Sequence, residues 1–134
     1  MIFSIQPKIE ELPFVLKRIE QEYLENQSHY SAQAVILCCE ELISNIIFYS
    51  HAPGDSQIVV SLEEEQEQLV VTIKDSGAAY NPLEQSVPDL ELDLDQREIG
   101  GLGIHLVKQI SNAQCYRFLA QQNILTLKFN RNKS

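Results

Sequence analysis

Tryptophan is absent from the 134 residues, and cysteine occurs only at positions 38, 39 and 115. Three cysteines, two of them adjacent, are too few and too awkwardly spaced for a disulfide scaffold or a zinc site. All three are expected to be reduced core residues. Basic side chains are scarce as well: 10 Lys and Arg stand against 19 Asp and Glu, a formal net charge of −9 at pH 7. That sign repels phosphate backbones and anionic bilayers, so neither nucleic acid nor a membrane surface is expected as an extended partner. A small anion is not excluded, because local backbone dipoles can hold one inside an acidic protein. No uncharged apolar run approaches the ~18 residues of a membrane span. The opening MIFSIQPKIEELP lacks the basic segment and long apolar stretch of a secretory signal. A cytoplasmic location is the expectation.

What is present is ordinary globular usage, 44% hydrophobic and 22% charged, which excludes wholesale disorder. The length suits one domain over residues 1–134, with no repeats, linker or low-complexity segment. Residues 2–6 read as a strand. A helical period follows to about Asn26, starting at Pro7 or, since proline interrupts a helix, at Pro13. Ser28 or Ser31 can cap a second helix running to about Ser50. It is apolar on most of its circumference, Phe48 included, and should be buried. Two alternating runs around residues 58–62 and 69–73 form an antiparallel hairpin with an acidic, solvated loop at 63–67. Residues 76–100 read as a long loop, and Gly101-Leu102-Gly103 leads into a third helix from Ile104 to about Ser111. Strands at about 114–120 and 123–130 close the chain around a tight turn at Gln121-Gln122. The sum is an α+β, two-layer sandwich: a mixed, mostly antiparallel sheet with helices on one face.

Three constellations stand out against that frame. Glu41 and Asn45 sit at i, i+4 in the middle of the apolar second helix, stacked on one face. Burying an unpaired carboxylate and amide is costly, so the pair either reaches a wet helix edge or serves chemistry. The chemical reading is a general base one turn from an amide oxygen suited to Mg²⁺. Asp75 continues the parity of Leu69, Val71 and Ile73 and so points to the core face at the strand's end. There it can accept from an exocyclic amine such as adenine's, although Asp-Ser-Gly is also a common turn signal. Gly100, Gly101 and Gly103 at a helix start leave N–H groups free for a phosphate, or simply make a flexible junction.

The order of these signals, E-x-x-x-N on a helix, D-x-G about thirty residues on, a long loop, then G-x-G at a helix start, resembles the histidine-kinase-like (GHKL, Bergerat-fold) ATPases. The wording EELISNIIFYSH, DSGAAYNPL, IGGLGIHLVKQI and NILTLKF is similar, over roughly residues 30–130, to the stand-alone anti-sigma-factor serine/threonine kinases. That resemblance implies Glu41 as catalytic base and Asn45 as ligand of the Mg²⁺ carried by ATP. It implies Asp75 on the adenine amino group, Gly77 beside the base, and Gly101, Leu102 and Gly103 along the phosphates. Tyr49, Ala79 and Ile104 count among the ATP-binding positions, and residues 81–100 as the ATP lid. Phe48 stands where many histidine kinases carry Lys, and Ile99 and Gly100 stand where relatives place an arginine before the glycines. The implied activity is phosphorylation of a serine or threonine on an anti-sigma-factor antagonist by a protein that also sequesters a sigma factor. The implied cofactors are ATP and Mg²⁺, and a homodimer is left open. The alternative is a nucleotide-dependent binding module that releases its partner without transferring phosphate.

Overall fold

Alternating apolar residues in five segments build one sheet, seen in a computed structural model that describes residues 1–25, 29–84 and 101–132. The strands are β1 (Ile2–Ile5), β2 (Ile58–Glu65), β3 (Gln68–Asp75), β4 (Ala113–Leu119) and β5 (Gln122–Asn130). Their spatial order is β1-β2-β3-β5-β4, and every described pair is antiparallel, so the sheet is not mixed. One cross-strand row runs Phe3, Val60, Ile73, Leu125 and Tyr116 through all five strands. The first four of these are buried, which marks that face as the core side. Cys115, expected in the core, is exposed: it pairs with Thr126, and that parity puts it on the opposite face of the edge strand β4. Cys38 and Cys39 are fully buried, and burial pushes both thiols up to about 12, which keeps them protonated and inert.

Among the described residues, three α-helices cover the core face. The first, α1 (Leu12–Ile19), follows a 3₁₀ turn at Ile9–Glu11 and continues as a π turn over Glu20–Leu24. Pro13 falls in its first turn, where the missing N–H costs nothing. In α2 (Ala32–Tyr49), Ser31 is the cap, its Oγ accepting from the Ala34 N–H at 3.2 Å. By length and composition α2, 18 residues with mean hydropathy 1.4, matches a membrane span. Its Val35, Cys38, Leu42 and Ile46 instead join one core with the sheet and α1, as in a buried helix of a globular domain. Phe48, expected inside, is 56% exposed, because it lies about 200° round the helix from Ile46. The third helix, α3 (Gly101–Ile110), starts at Gly101 rather than Ile104, so the glycines form its first turn instead of leading into it.

Both hairpins turn in two residues, Gln66-Glu67 and Ala120-Gln121, each with φ between 51° and 64°. Most of the acidic run expected as loop therefore belongs to β2, and the last turn sits one residue before its expected place. Positive φ at both positions matches the twist of the paired strands, and it is reached here without glycine or asparagine. Beyond Asn81, the segment after β3 makes a short 3₁₀ turn, Pro82–Glu84, whose N–H of Leu83 is taken by Asn81 Oδ1. Apart from residues 81–84, the expected lid lies outside the described residues.

The four hairpin-turn residues, all with side chains and all in the left-handed region, carry a conformational cost. Gln66→Asn combined with Glu67→Gly is expected to raise unfolding stability by about 1 kcal/mol. Urea denaturation checks this, and an unchanged midpoint would contradict the strain.

Candidate nucleotide site

Glu41 and Asn45 lie one turn apart on α2, Glu41 against Gly103 of α3 and Asn45 against Tyr80 in the segment after β3. Asn45 is only 3% exposed, and its Nδ2 donates to the Glu41 carbonyl oxygen at 2.6 Å. A carbonyl accepts and never donates, so this bond decides which end of the amide is nitrogen. Its Oδ1 therefore faces the Tyr80 hydroxyl, which donates to it at 3.5 Å. The Tyr80 ring in turn packs on Tyr49, with centroids 5.9 Å apart and planes tilted by 45°.

The Glu41 side chain runs to α3. A Cβ added to Gly103 would fall 1.9 Å from Glu41 Oε2, so the carboxylate rests directly on that bare Cα. Burial pushes the Glu41 carboxyl above the ordinary carboxylate range, and the neighbouring charge of Glu40 adds to the rise. The backbone N–H groups of Gly101, Leu102 and Gly103 open the helix, where the first four donors have no partner within the helix itself. Ile104 is fully buried in the core, so only its backbone can face a ligand.

Asp75 ends β3 at 1% exposure. Its Oδ1 accepts twice, from the Gly77 N–H at 2.9 Å and from Asn123 Nδ2 at 3.0 Å. Its Oδ2 is buried and has no hydrogen-bond partner among the described residues. An acceptor left in that state costs about 1–3 kcal/mol, and a ligand N–H would recover it. Asn123 is paired directly opposite Asp75 in the sheet and is 3% exposed. Its Nδ2 also donates to the Ala78 carbonyl at 2.9 Å, and its Oδ1 accepts from the Tyr80 N–H at 2.9 Å and from the Tyr116 hydroxyl. Burial pushes the Tyr116 phenol up, which keeps it a donor.

The turn after Asp75 is clamped to the end of α2. The Ala78 N–H donates to the Ser50 carbonyl at 2.8 Å, and a Cβ on Gly77 would fall 2.3 Å from that same oxygen. Gly77 is thus required by the approach to α2. Ala79 is exposed on the same segment, and His51, with φ 54°, leads the chain out of α2.

The expected residues therefore form two joined groups. Glu41 meets Gly103, Asn45 and Tyr49 both meet Tyr80, and Asp75 meets Gly77. Asn123 and Tyr80 bridge them, and the sequence reading singled out neither. Asn123 did carry a signal: it shares the parity of the buried Leu125, Leu127 and Phe129, as Asp75 shares that of Ile73. Among the described residues no three His, Cys, Asp or Glu side chains converge on a metal position. A hard cation would find Asn45 Oδ1 and draw its other oxygens from phosphates and water, a donor set that suits nucleotide-borne Mg²⁺. The open Asp75 oxygen likewise suits an adenine amine.

Residues 8–129 match the histidine kinase-like ATPase domain, and the chain belongs to that family. Among its relatives, serine/threonine-protein kinase BtrW of Bordetella bronchiseptica is 30% identical over 110 residues, 79% of this chain and 78% of BtrW. The fold is shared with the histidine kinase AdeS of Acinetobacter baumannii, at a TM-score of 0.55 and 16% identity, over 99% of this chain and 68% of that one.

The two close-packed glycines should respond differently to a methyl group. Gly77→Ala meets backbone and is expected to destabilise by about 1–3 kcal/mol. Gly103→Ala meets only the end of a flexible side chain and gains helix propensity, so its melting temperature should hold or rise while Glu41 is displaced. Thermal melts of the two variants, run side by side, check the contrast.

Proposed function

We propose that this protein binds Mg²⁺-ATP and transfers the γ-phosphoryl group to a serine or threonine of a partner protein. The partner fits the description of an anti-sigma-factor antagonist, and the chain itself would hold a sigma factor in the cytoplasm. The observation that carries the nucleotide half is the open, buried Oδ2 of Asp75, placed for an amino group. The kinase half is supported by the serine/threonine-protein kinase relative together with a half-buried carboxylate beside the first turn of α3.

In this reading Asp75 accepts from the adenine amine, and Asn45 Oδ1 holds Mg²⁺, whose charge offsets that of the phosphates. The first N–H groups of α3 face the phosphate oxygens. Glu41 takes the proton from the incoming hydroxyl as that oxygen bonds to the γ-phosphorus and the bond to the β–γ bridging oxygen breaks. The raised pKa of Glu41 favours this task, since a base nearer the working pH holds the proton it receives better.

Adenine selectivity follows from Asp75. Asp75→Asn is expected to weaken ATP binding by about 1.5–3 kcal/mol, the value of a hydrogen bond to a charged group. Thermal shift with ATP and GTP tests the assignment, and equal stabilisation by the two nucleotides would overturn it.

Glu41 and Asn45 should separate in function. Glu41→Ala should keep Mg²⁺-ATP affinity and lose roughly two to four orders of magnitude in phosphoryl transfer. Asn45→Ala should lose both, because the metal is then poorly held. Transfer should fall as pH drops through a Glu41 pKa above the usual 4.5, and Glu40→Gln should move that fall to lower pH. Radiolabelled ATP with a serine-bearing antagonist reads all of these. A wild-type protein that transfers nothing, yet grips its partner differently with ATP, would establish the binding module instead.

A further inference from the structure

Tyr80 lies where the two groups of the site meet, and the chemistry above gives it no task. Its N–H donates to Asn123 Oδ1 at 2.9 Å, so its backbone is held by the same residue that holds Asp75. Its ring rests on Tyr49, and its hydroxyl reaches Asn45 Oδ1 at 3.5 Å. Because Asn45 Nδ2 is committed to the Glu41 carbonyl, the phenol meets the one amide atom suited to a hard cation. An amide oxygen accepts along two directions, so accepting from a phenol is compatible with ligating a metal.

We propose that Tyr80 is a positioning residue for the nucleotide-borne metal: its hydroxyl aims Asn45 Oδ1, and its backbone ties that aim to the adenine end. The inference rests on the nucleotide reading of Asp75 and Asn45. The hydroxyl is held from both sides of the residue, by ring packing on Tyr49 and by the hydrogen bond from the Tyr80 backbone N–H to Asn123 Oδ1. Its long contact is the kind that tightens when a ligand completes the site. Occupancy by adenine, felt through Asp75 and Asn123, would thereby steady the oxygen that receives Mg²⁺.

Tyr80→Phe keeps the ring contact and the backbone bond and removes only the donor. Calorimetry on the full chain would measure ATP with and without Mg²⁺, and adenosine alone, for wild type, Tyr80→Phe and Asn45→Ala. The Mg²⁺ enhancement of ATP binding should shrink about three- to tenfold in Tyr80→Phe, the loss of one hydrogen bond. Adenosine affinity and melting temperature should not change, and Asn45→Ala gives the value for complete loss. An unchanged enhancement overturns the proposal, as does an equal loss of adenosine affinity, which would mark a merely structural role. A larger enhancement overturns it too, since the hydroxyl would then be a cover that the metal displaces. If wild-type protein binds neither ATP nor adenosine, the nucleotide reading fails, and this inference falls with it.

Discussion

A carboxylate at the end of β3, buried with one oxygen accepting two hydrogen bonds and the other open, is the constraint that organises this molecule. It is tolerable only because Asn123 lies opposite it, and Asn123 lies there only because β3 and β5 pair in one register. A slip of one residue would turn Asp75 to solvent and Ile73 with it. The apolar row through Phe3, Val60, Ile73 and Leu125 resists that slip, as do two hairpin turns with no residue to spare. Hydrophobic alternation across the sheet therefore secures a polar geometry at its end.

The helices serve the same end from the other layer. The apolar residues of α2 anchor it in the core, which holds Glu41 and Asn45 in a fixed position one turn apart. Its last carbonyls then receive the Asp75 turn through the Ser50–Ala78 bond. The histidine kinase-like ATPase framework is thus one continuous assembly, in which the strand end, helix end and following turn brace each other.

Much of this was legible in the sequence, for identifiable reasons. The two-layer sandwich and α2 show in periodicity, because burial of one face demands it. Glu41 and Asn45 show as polar residues on an apolar helix, and Asp75 through strand parity. The hairpin turns were misplaced because Gln66-Glu67 and Ala120-Gln121 lack the Asn-Gly or Asp-Gly signal of their backbone. The start of α3 was placed late because glycine reads as a helix breaker, whereas here it admits Glu41 to the first turn. Cys115 was assigned by residue type, and parity on an edge strand overrode that preference. Tyr80 and Asn123 escaped notice because their partners are 35 and 48 residues away, beyond any local pattern.

The contact between Glu41 and Gly103 has a consequence for disorder within the site. A glutamate on a helix surface explores many rotamers and surrenders up to about 2 kcal/mol of entropy when confined to one. Here the bare Cα of Gly103 is a wall that already removes some of those rotamers. The helix start that would receive the phosphates thus also sets how widely the carboxylate can wander, so any shift of that first turn changes its rotamer population without breaking a single hydrogen bond.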